Sequence, residues 1–434
     1  MSKRSILILA LAFVVGISAY AYAEVQNIKV GGDLTMMGLS RYGFNLTTPE
    51  ADASGLVAIT RLRLDADLTD EVMVTVRLLN ERVWGTLDMD LMTSDDIDLD
   101  LAYVTLREFL YSPLTLTVGR QDFRLGSGLI VGDPDTNQYD MSLSGLPMIL
   151  GDLSSSKAFD GIVGVLDYAP LTLTLGYLKI NETPGGNLFD LTTDGLRAVG
   201  DDVDAYVVNA AYDFGDERGT MGELYYVLAD VGDDSTNTVA NMQTNDISNI
   251  GMRLMSSPLE NLSASAELAY QTSRRLVGTG HRSDTALILA ANYALPEVDW
   301  SPILGFDYIR IGDNWNPMFE DVASADIANA LFPATNCQIF GLTAIAYPME
   351  DVSARVRFAS HRLANEIPGL ANSWATYAMN SDKKSLGNEW DLHLMYDYTE
   401  DVQLGFKFGY FDTGKAFMNR EDATQVIGSM KVTF

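Results

Sequence analysis

Apolar and polar residues alternate along much of this chain. From Leu56 to Leu68 one face carries leucine and alanine, whereas the other carries Arg61, Arg63, Asp65 and Asp67. A period of two held over about thirteen residues predicts a β-strand that is long enough to cross a bilayer when tilted. Comparable runs lie at Leu262–Ser273, Val352–Arg362, Glu389–Tyr398 and Val402–Phe411.

The chain also ends on an alternating segment, which runs from Asp422 to the terminal Phe434. Small or apolar residues share one face of this segment: Val426, Gly428, Met430, Val432 and Phe434. The backbone groups of such a strand need a neighbouring strand, and its apolar face needs contact with something other than water. A closed barrel in a membrane meets both needs.

The connections between the alternating runs are short and long in turn. About eighteen runs are separated by eight short turns and nine long loops, a pattern typical of outer-membrane barrels. We therefore predict an all-β fold, a transmembrane antiparallel up-and-down β-barrel of about 18 strands. Both termini would lie at the turn end, which is the periplasmic side of the bacterial outer membrane.

Aromatic residues recur at the turn ends of the runs. They are Phe109, Tyr111, Tyr168, Phe214, Tyr293, Trp300, Tyr347, Tyr398 and Phe434. This placement predicts an interfacial girdle, although aromatic residues also favour strands in general. A soluble β-helix would alternate as well, but it would show a fixed short repeat, which this sequence lacks.

The N-terminus predicts a cleaved secretory signal at residues 1–23. Lys3 and Arg4 precede an apolar run from Ile6 to Ile17, and small residues follow up to Ala23. Residues 24–434 carry no linker-like segment, so we predict a single barrel domain. The one cysteine, Cys337, excludes an intramolecular disulfide and is interpreted as a packed side chain.

The formal net charge of −30 argues against nucleic acid as a partner, because phosphate binding needs a basic surface. The expected partners are instead outer-membrane lipid, lipopolysaccharide and a small hydrophilic or polysaccharide solute, with a monomer as the expected state. The acidic clusters Asp133–Asn137 and Asp233–Asn237 lack the pattern of a calcium-binding loop, so we expect no metal and no cofactor. The three scattered histidines match no catalytic motif, and we expect no enzyme activity.

Function should lie on the inward face, because a barrel this wide leaves an aqueous passage unless a loop narrows it. Charged residues with inward parity form the candidate solute pathway: Arg61, Arg63, Arg77, Arg355, Arg357, Glu389, Asp391, His393 and Lys407. The arginines could form a basic track for an anionic solute. Alternatively, each could be neutralised by an acidic neighbour and simply brace the wall.

The longest loop, from Arg124 to Lys157, is rich in glycine and contains two apolar stretches, Leu129–Val131 and Leu146–Leu150. Such a loop could fold into the barrel and narrow it. It could equally extend as an ordinary exposed loop.

Three segments resemble the alginate-export family of outer-membrane porins, which are eighteen-stranded barrels. They are LTVGRQDFRLGSGLIVGDP at 116–134, SKAFDGIVGV at 156–165, and KKSLGNEWDLHLMYDYTEDVQLGFKFGYFDTGKAF at 383–417. The resemblance implies that Arg120, Glu389 and Asp391 face the passage. Simple parity places Arg120 with Leu116 and Val118, so this implication requires a bulge at Gly119.

The sequence thus predicts an outer-membrane porin that passes small hydrophilic or anionic oligosaccharide solutes through a charged lumen. The alternative is a structural barrel that encloses a secreted or electron-carrying protein.

Overall fold

The computed structural model describes residues 27–44, 46, 52–85, 97–134, 151–181, 203–231, 244–275, 281–322, 324–366, 379–380 and 382–434. The signal segment 1–23 and the acidic residues 135–137 and 233–237 lie outside this set, so the expectations for them stay predictions.

Eighteen antiparallel strands form one closed sheet. Strand β1 pairs with both β2 and β18, which closes the barrel. The strands are β1 (Asn27–Tyr42), β2 (Ala53–Asp67), β3 (Val72–Val83), β4 (Asp98–Leu106), β5 (Leu114–Asp122), β6 (Ala158–Tyr168), β7 (Leu171–Asn181), β8 (Val203–Asp213), β9 (Met221–Val231), β10 (Thr244–Leu259), β11 (Leu262–Arg275), β12 (His281–Ala294), β13 (Ile303–Ile311), β14 (Cys337–Met349), β15 (Val352–Leu363), β16 (Ser385–Asp397), β17 (Val402–Thr413) and β18 (Ala423–Thr433). The predicted fold class and strand number are confirmed.

Strand order explains why the chain alternates short and long connections. Each strand pairs with its sequence neighbours, and the first and last strands meet with Asp33 opposite Thr433. The start of β1 and the end of β18 therefore lie at the barrel end that carries the short turns. Which side of a membrane this end faces stays a prediction.

The predicted alternation corresponds to two faces of the sheet. In β2 the outward leucines Leu56, Leu62 and Leu64 are exposed, whereas Val57 and Ile59 point inward and are buried. Eight of the nine turn-end aromatic side chains are also exposed, as an interfacial girdle requires: Tyr111, Tyr168, Phe214, Tyr293, Trp300, Tyr347, Tyr398 and Phe434.

Helical structure among the described residues is limited to a 3₁₀ turn (Gly151–Leu153) and the helix α1 (Asp326–Leu331). Within the described ranges, no helix combines the length and apolar character needed to cross a bilayer.

The main hydrophobic core lies inside the barrel, where two loops pack against the wall. Leu129, Ile130 and Val131 from the β5–β6 loop are buried with Trp315 and Phe319 from the β13–β14 loop. Fully burying a side chain of this size typically contributes about 1.5–3 kcal/mol. The described part of the Arg124–Lys157 loop therefore folds inward, which decides between the two alternatives left by the sequence.

If lipid covers the outward face, a charge should cost most at mid-strand. We expect Leu268→Arg, at the middle of β11, to destabilise the barrel by about 2–4 kcal/mol. The matched change Leu259→Arg, at the turn end of β10, should cost about 0–1 kcal/mol. Urea unfolding of both variants in lipid vesicles checks this. Equal costs at the two depths would contradict the lipid-covered face.

Candidate functional site

The two inward-folding loops are joined to each other inside the lumen. We call residues 123–134 and 151–157 the first inner loop, and residues 312–336 the second inner loop. Val131 and Phe319 form a short parallel β-bridge. The backbone N–H of Phe319 donates to the Ile130 carbonyl at 3.1 Å, and that of Gly132 donates to the Phe319 carbonyl at 2.7 Å. These bonds make the loops one body.

An ionic cluster strengthens this junction. The Asp321 carboxylate of the second inner loop pairs with Arg124 and with Lys157 Nζ, the latter at 2.6 Å. Arg124 Nη2 also donates to the backbone carbonyl of Asp321 at 2.9 Å. Charge-assisted hydrogen bonds of this kind are about twice as strong as neutral ones, so Asp321 holds both ends of the first inner loop.

Wall carboxylates on opposite sides of the barrel hold the first inner loop. Glu267 of β11 accepts a hydrogen bond from the Ser127 backbone N–H at 3.0 Å. Glu81 of β3 accepts from the Ser154 hydroxyl and the Ser155 backbone N–H, both at 2.6 Å. Because β3 and β11 are eight strands apart, the loop crosses the bore.

A buried arginine of β1 provides another anchor. Arg41 is 1% exposed, and its Nη2 donates to both Asp152 oxygens, at 2.8 and 2.9 Å. Its Nε donates to Gln425 Oε1 at 2.7 Å, and its guanidinium lies 4.8 Å from the ring centre of Phe44. Asp152 is thus fully engaged by the wall.

The second inner loop is anchored through the first turn of α1. Glu389 Oε1 accepts a hydrogen bond from the Ile327 backbone N–H at 2.5 Å, and Oε2 accepts one from the Ala328 N–H at 2.8 Å. Glu389 is 0% exposed. Helix N–H groups in the first turn have no partner within the helix, so the wall carboxylate satisfies them. A Cβ added at Gly409 would lie 3.2 Å from the Ile327 side chain, so glycine lets the helix approach the wall.

Arg357 of β15 holds the residues that precede α1. Its Nε donates to the Ser324 carbonyl at 2.7 Å, and its Nη1 and Nη2 donate to Asp307 at 2.6 and 2.9 Å. A Cβ at Gly341, between them on β14, would lie 2.5 Å from Arg357 Nη2 and from both Asp307 oxygens. Glycine therefore leaves the space that this ion pair occupies.

Asp326, the first residue of α1, contacts the wall through His393 of β16. The distance from His393 Nε2 to Asp326 Oδ2 is 2.6 Å. Burial alone would raise the pKa of Asp326, but the hydrogen bond from His393 and the nearby charges of Lys407 and Arg355 outweigh it. The pKa of Asp326 consequently lies below its ordinary value.

A cavity of about 240 Å³ lies between the inner loops and the wall. Its charged lining residues are Asp152, Lys157, Asp321, Asp326, Arg355 and Lys407. The three carboxylates are paired, with Arg41, with Arg124 and Lys157, and with His393 respectively.

Arg355 and Lys407 differ from these groups. Within the part of the chain that the structure describes, neither side chain forms an ion pair or a hydrogen bond. Strand register places His393 between them, since Arg355 is opposite His393 and His393 is opposite Lys407. This row of three basic side chains is the candidate functional site, and we call it the basic row.

Most of the other predicted pathway residues brace the wall or hold a loop. Arg61 pairs with Asp33 at 2.9 Å, Arg63 pairs with Asp65 at 2.8 Å, and Arg77 pairs with Asp100. These pairs favour the brace interpretation over a continuous arginine track. Arg357 and Glu389 hold the second inner loop, and the buried Asp391 lies beside α1. Their role as solute contacts stays a prediction.

The structure corrects the placement of Arg120. The pairing of β5 with β4 and with β6 continues without a register shift through Gly119, so the expected bulge is absent. Arg120 keeps the parity of the exposed Val118 and pairs with Asp160 at 3.2 Å. Because a strand alternates its faces, Arg120 lies with the outward set.

Strand parity and motifs do not identify several residues that hold the inner loops or line the cavity. They are Arg41, Glu81, Asp152, Lys157, Asp307, Asp321 and Asp326. A usable signal was present in the second inner loop, where Trp315, Phe319 and Ile327 make the segment too apolar for an exposed loop. Cys337 is buried, as the sequence indicated.

Comparison with known proteins shows similarity at the level of fold. No protein-family model matches the sequence, and no curated protein matches it. Among solved structures, Pseudomonas aeruginosa OpdL is 16% identical with a TM-score of 0.60, over 94% of this chain and 99% of that one. Acinetobacter baumannii OccAB4 is 11% identical with a TM-score of 0.60, over 95% and 100%. The P. aeruginosa outer membrane protein OpdK is 13% identical with a TM-score of 0.57, over 94% and 99%.

The anchoring role of Glu389 can be tested by proteolysis. We expect Glu389→Ala to leave two buried N–H groups of α1 without an acceptor, at a cost of about 1–3 kcal/mol each. The second inner loop should then open more often, and chymotrypsin should cut after Trp315 or Phe319 at least about tenfold faster.

The matched control is Glu366→Ala, which removes a glutamate from an exposed position in the β15–β16 connection. Mass spectrometry of the fragments locates the cuts. Equal resistance of both variants would show that Glu389 does not hold the loop.

Proposed function

We propose that this protein is an outer-membrane channel for small hydrophilic solutes, with a preference for anions. The observation that carries the proposal is the pair Arg355 and Lys407, which faces a narrow cavity without ion-pair partners among the described residues. Of the carboxylates of the same cavity, Asp152 and Asp321 are paired with cations, and Asp326 is hydrogen-bonded to His393. The balance of charges around the cavity therefore favours an anion, despite the formal net charge of −30 for the whole chain.

The arrangement suits passage better than tight binding. Arg355 and Lys407 offer separate donors on neighbouring parts of the wall, and both line the cavity of about 240 Å³. Conduction requires binding that is favourable enough for entry and weak enough for exit. Two separate cations in one row across the wall, with no bidentate site for a ligand, meet this requirement for a small anion.

The alternative function, a sheath around another protein, has less support. The inner loops cross the lumen and fill much of it with their own buried side chains. A barrel occupied in this way leaves room for a small solute or an extended chain. The resemblance to alginate-export porins adds anionic oligosaccharides to the candidate solutes, since such a chain could thread the cavity. The proposal includes no catalytic step.

The proposed location is the bacterial outer membrane, with both termini in the periplasm. Support comes from the exposed apolar outer face, the predicted signal at 1–23 and the fold shared with the outer membrane protein OpdK. Lipid and lipopolysaccharide would then surround a barrel that we propose to be a monomer.

Ion selectivity in a planar bilayer tests the proposal. Under a salt gradient, the wild-type channel should give a reversal potential that indicates preference for chloride over potassium. We expect Arg355→Gln and Lys407→Gln each to lower the anion-to-cation permeability ratio roughly sevenfold, because a unit charge about 7 Å away in water changes the energies of an anion and a cation by about RT each, in opposite directions.

The control variant is Lys431→Gln on β18, which removes the same charge from the inner wall near the turn end, away from the cavity. Its ratio should equal that of the wild type. A cation-selective wild type, or an unchanged ratio in both cavity variants, would overturn the proposal.

A further inference from the structure

The histidine of the basic row is placed where its charge would act on the passing solute. His393 lies between Arg355 and Lys407 across the strands, and Asp326 covers it from the lumen side at 2.6 Å. The side chains of His393 and Asp326 remain 12% and 20% exposed. Asp326 lines the cavity and His393 lies directly behind it, and both side chains are in contact with water.

We propose that His393 makes the anion preference of the channel depend on pH, through gain or loss of one positive charge in the basic row. This inference rests on the proposed channel function and names a regulation of the same site. Imidazole is the side chain whose ordinary titration falls between about pH 5 and 8. Lowering the pH across this range should therefore raise the preference for anions.

The charged groups around His393 lie on the neighbouring strands, on α1 and in the cavity lining. Arg355 on β15 and Lys407 on β17 are the basic side chains on either side of His393. Asp326 on α1 stays ionised, since its pKa lies below the ordinary value. The remaining charged groups on the same wall or lining the same cavity are Arg357, Glu389, Asp391, Asp152, Lys157 and Asp321.

Asp391 is the competing explanation. It lies two residues from His393 on the same face of β16, and its protonation would change the charge in the same direction. It differs in position, because Asp391 is 3% exposed, whereas the His393 side chain is 12% exposed and lies 2.6 Å from Asp326, which lines the cavity. A variant of each residue therefore separates the two explanations.

The expected size of the effect follows from one unit charge near the path of the ion. At about 7 Å in water, the gain of one charge changes the occupancy of an anion roughly threefold. The direction is fixed by the pair itself: a neutral ring beside the Asp326 carboxylate carries a net charge of −1, whereas a protonated ring makes the pair neutral.

The test measures the chloride-to-potassium permeability ratio of single channels at pH 8 and pH 5. In the wild type the ratio should rise roughly sevenfold at the lower pH, because the occupancies of chloride and potassium each change about threefold in opposite directions. In His393→Gln, which keeps a donor for Asp326, the ratio should be the same at both values. The control His281→Gln changes the first residue of β12 and should behave as the wild type.

The outcomes distinguish this inference from the proposed function. A wild-type channel that prefers anions equally at both pH values overturns the role of His393 and leaves the channel function intact. A pH response that persists in His393→Gln, or that disappears in Asp391→Asn, also overturns it. Each recording shows an inserted channel, so misfolded protein does not contribute to the result.

Discussion

The interior of an eighteen-stranded barrel is too wide for its wall side chains to fill, and this constraint shapes the rest of the molecule. The space is taken by two inner loops, whose backbone N–H and C=O groups leave water and need partners. Wall carboxylates and arginines supply them: Glu81 and Glu267 for one loop, Glu389 and Arg357 for the other. The first role of the charged wall residues is thus to hold the inner loops in place.

The same constraint explains why the candidate site is small. Most inward charges are engaged with a neighbour on the wall or with a loop, as Arg61 is with Asp33 and Arg41 is with Asp152. An ion pair of this type presents little net field to a solute. Arg355 and Lys407 differ, because the acidic groups near them on the wall and loops already pair with other side chains. The proposed selectivity comes from these two cations, which do not take part in anchoring the loops.

The sequence could predict the barrel because a strand with two different faces shows a period of two that depends on local order alone. The alternation of Leu56–Leu68 and of Val402–Phe411 predicts strands that the structure confirms as β2 and β17. The number of strands follows from the number of alternating runs, and the grouping of the short turns at one barrel end follows from the alternation of short and long connections. The structure also confirms the predicted closed antiparallel topology.

The anchors of the inner loops could not be predicted in the same way. Lys157 and Asp321 are 164 positions apart, and Arg41 and Asp152 are 111 apart, so no local pattern links them. Parity tells which face a charge takes but not which partner it meets. Arg120 shows a different limit, because the family resemblance implied a bulge that the register of β5 does not contain.

α1 and the basic row border the proposed path of the solute. Asn329 of α1 lines the cavity, and the native Cys337 is buried, so a cysteine at position 329 would be the accessible thiol. Channels of Asn329→Cys should lose most of their current when an anionic methanethiosulfonate is added, and a cationic reagent of equal size should react more slowly. An unchanged current after complete modification would contradict the account.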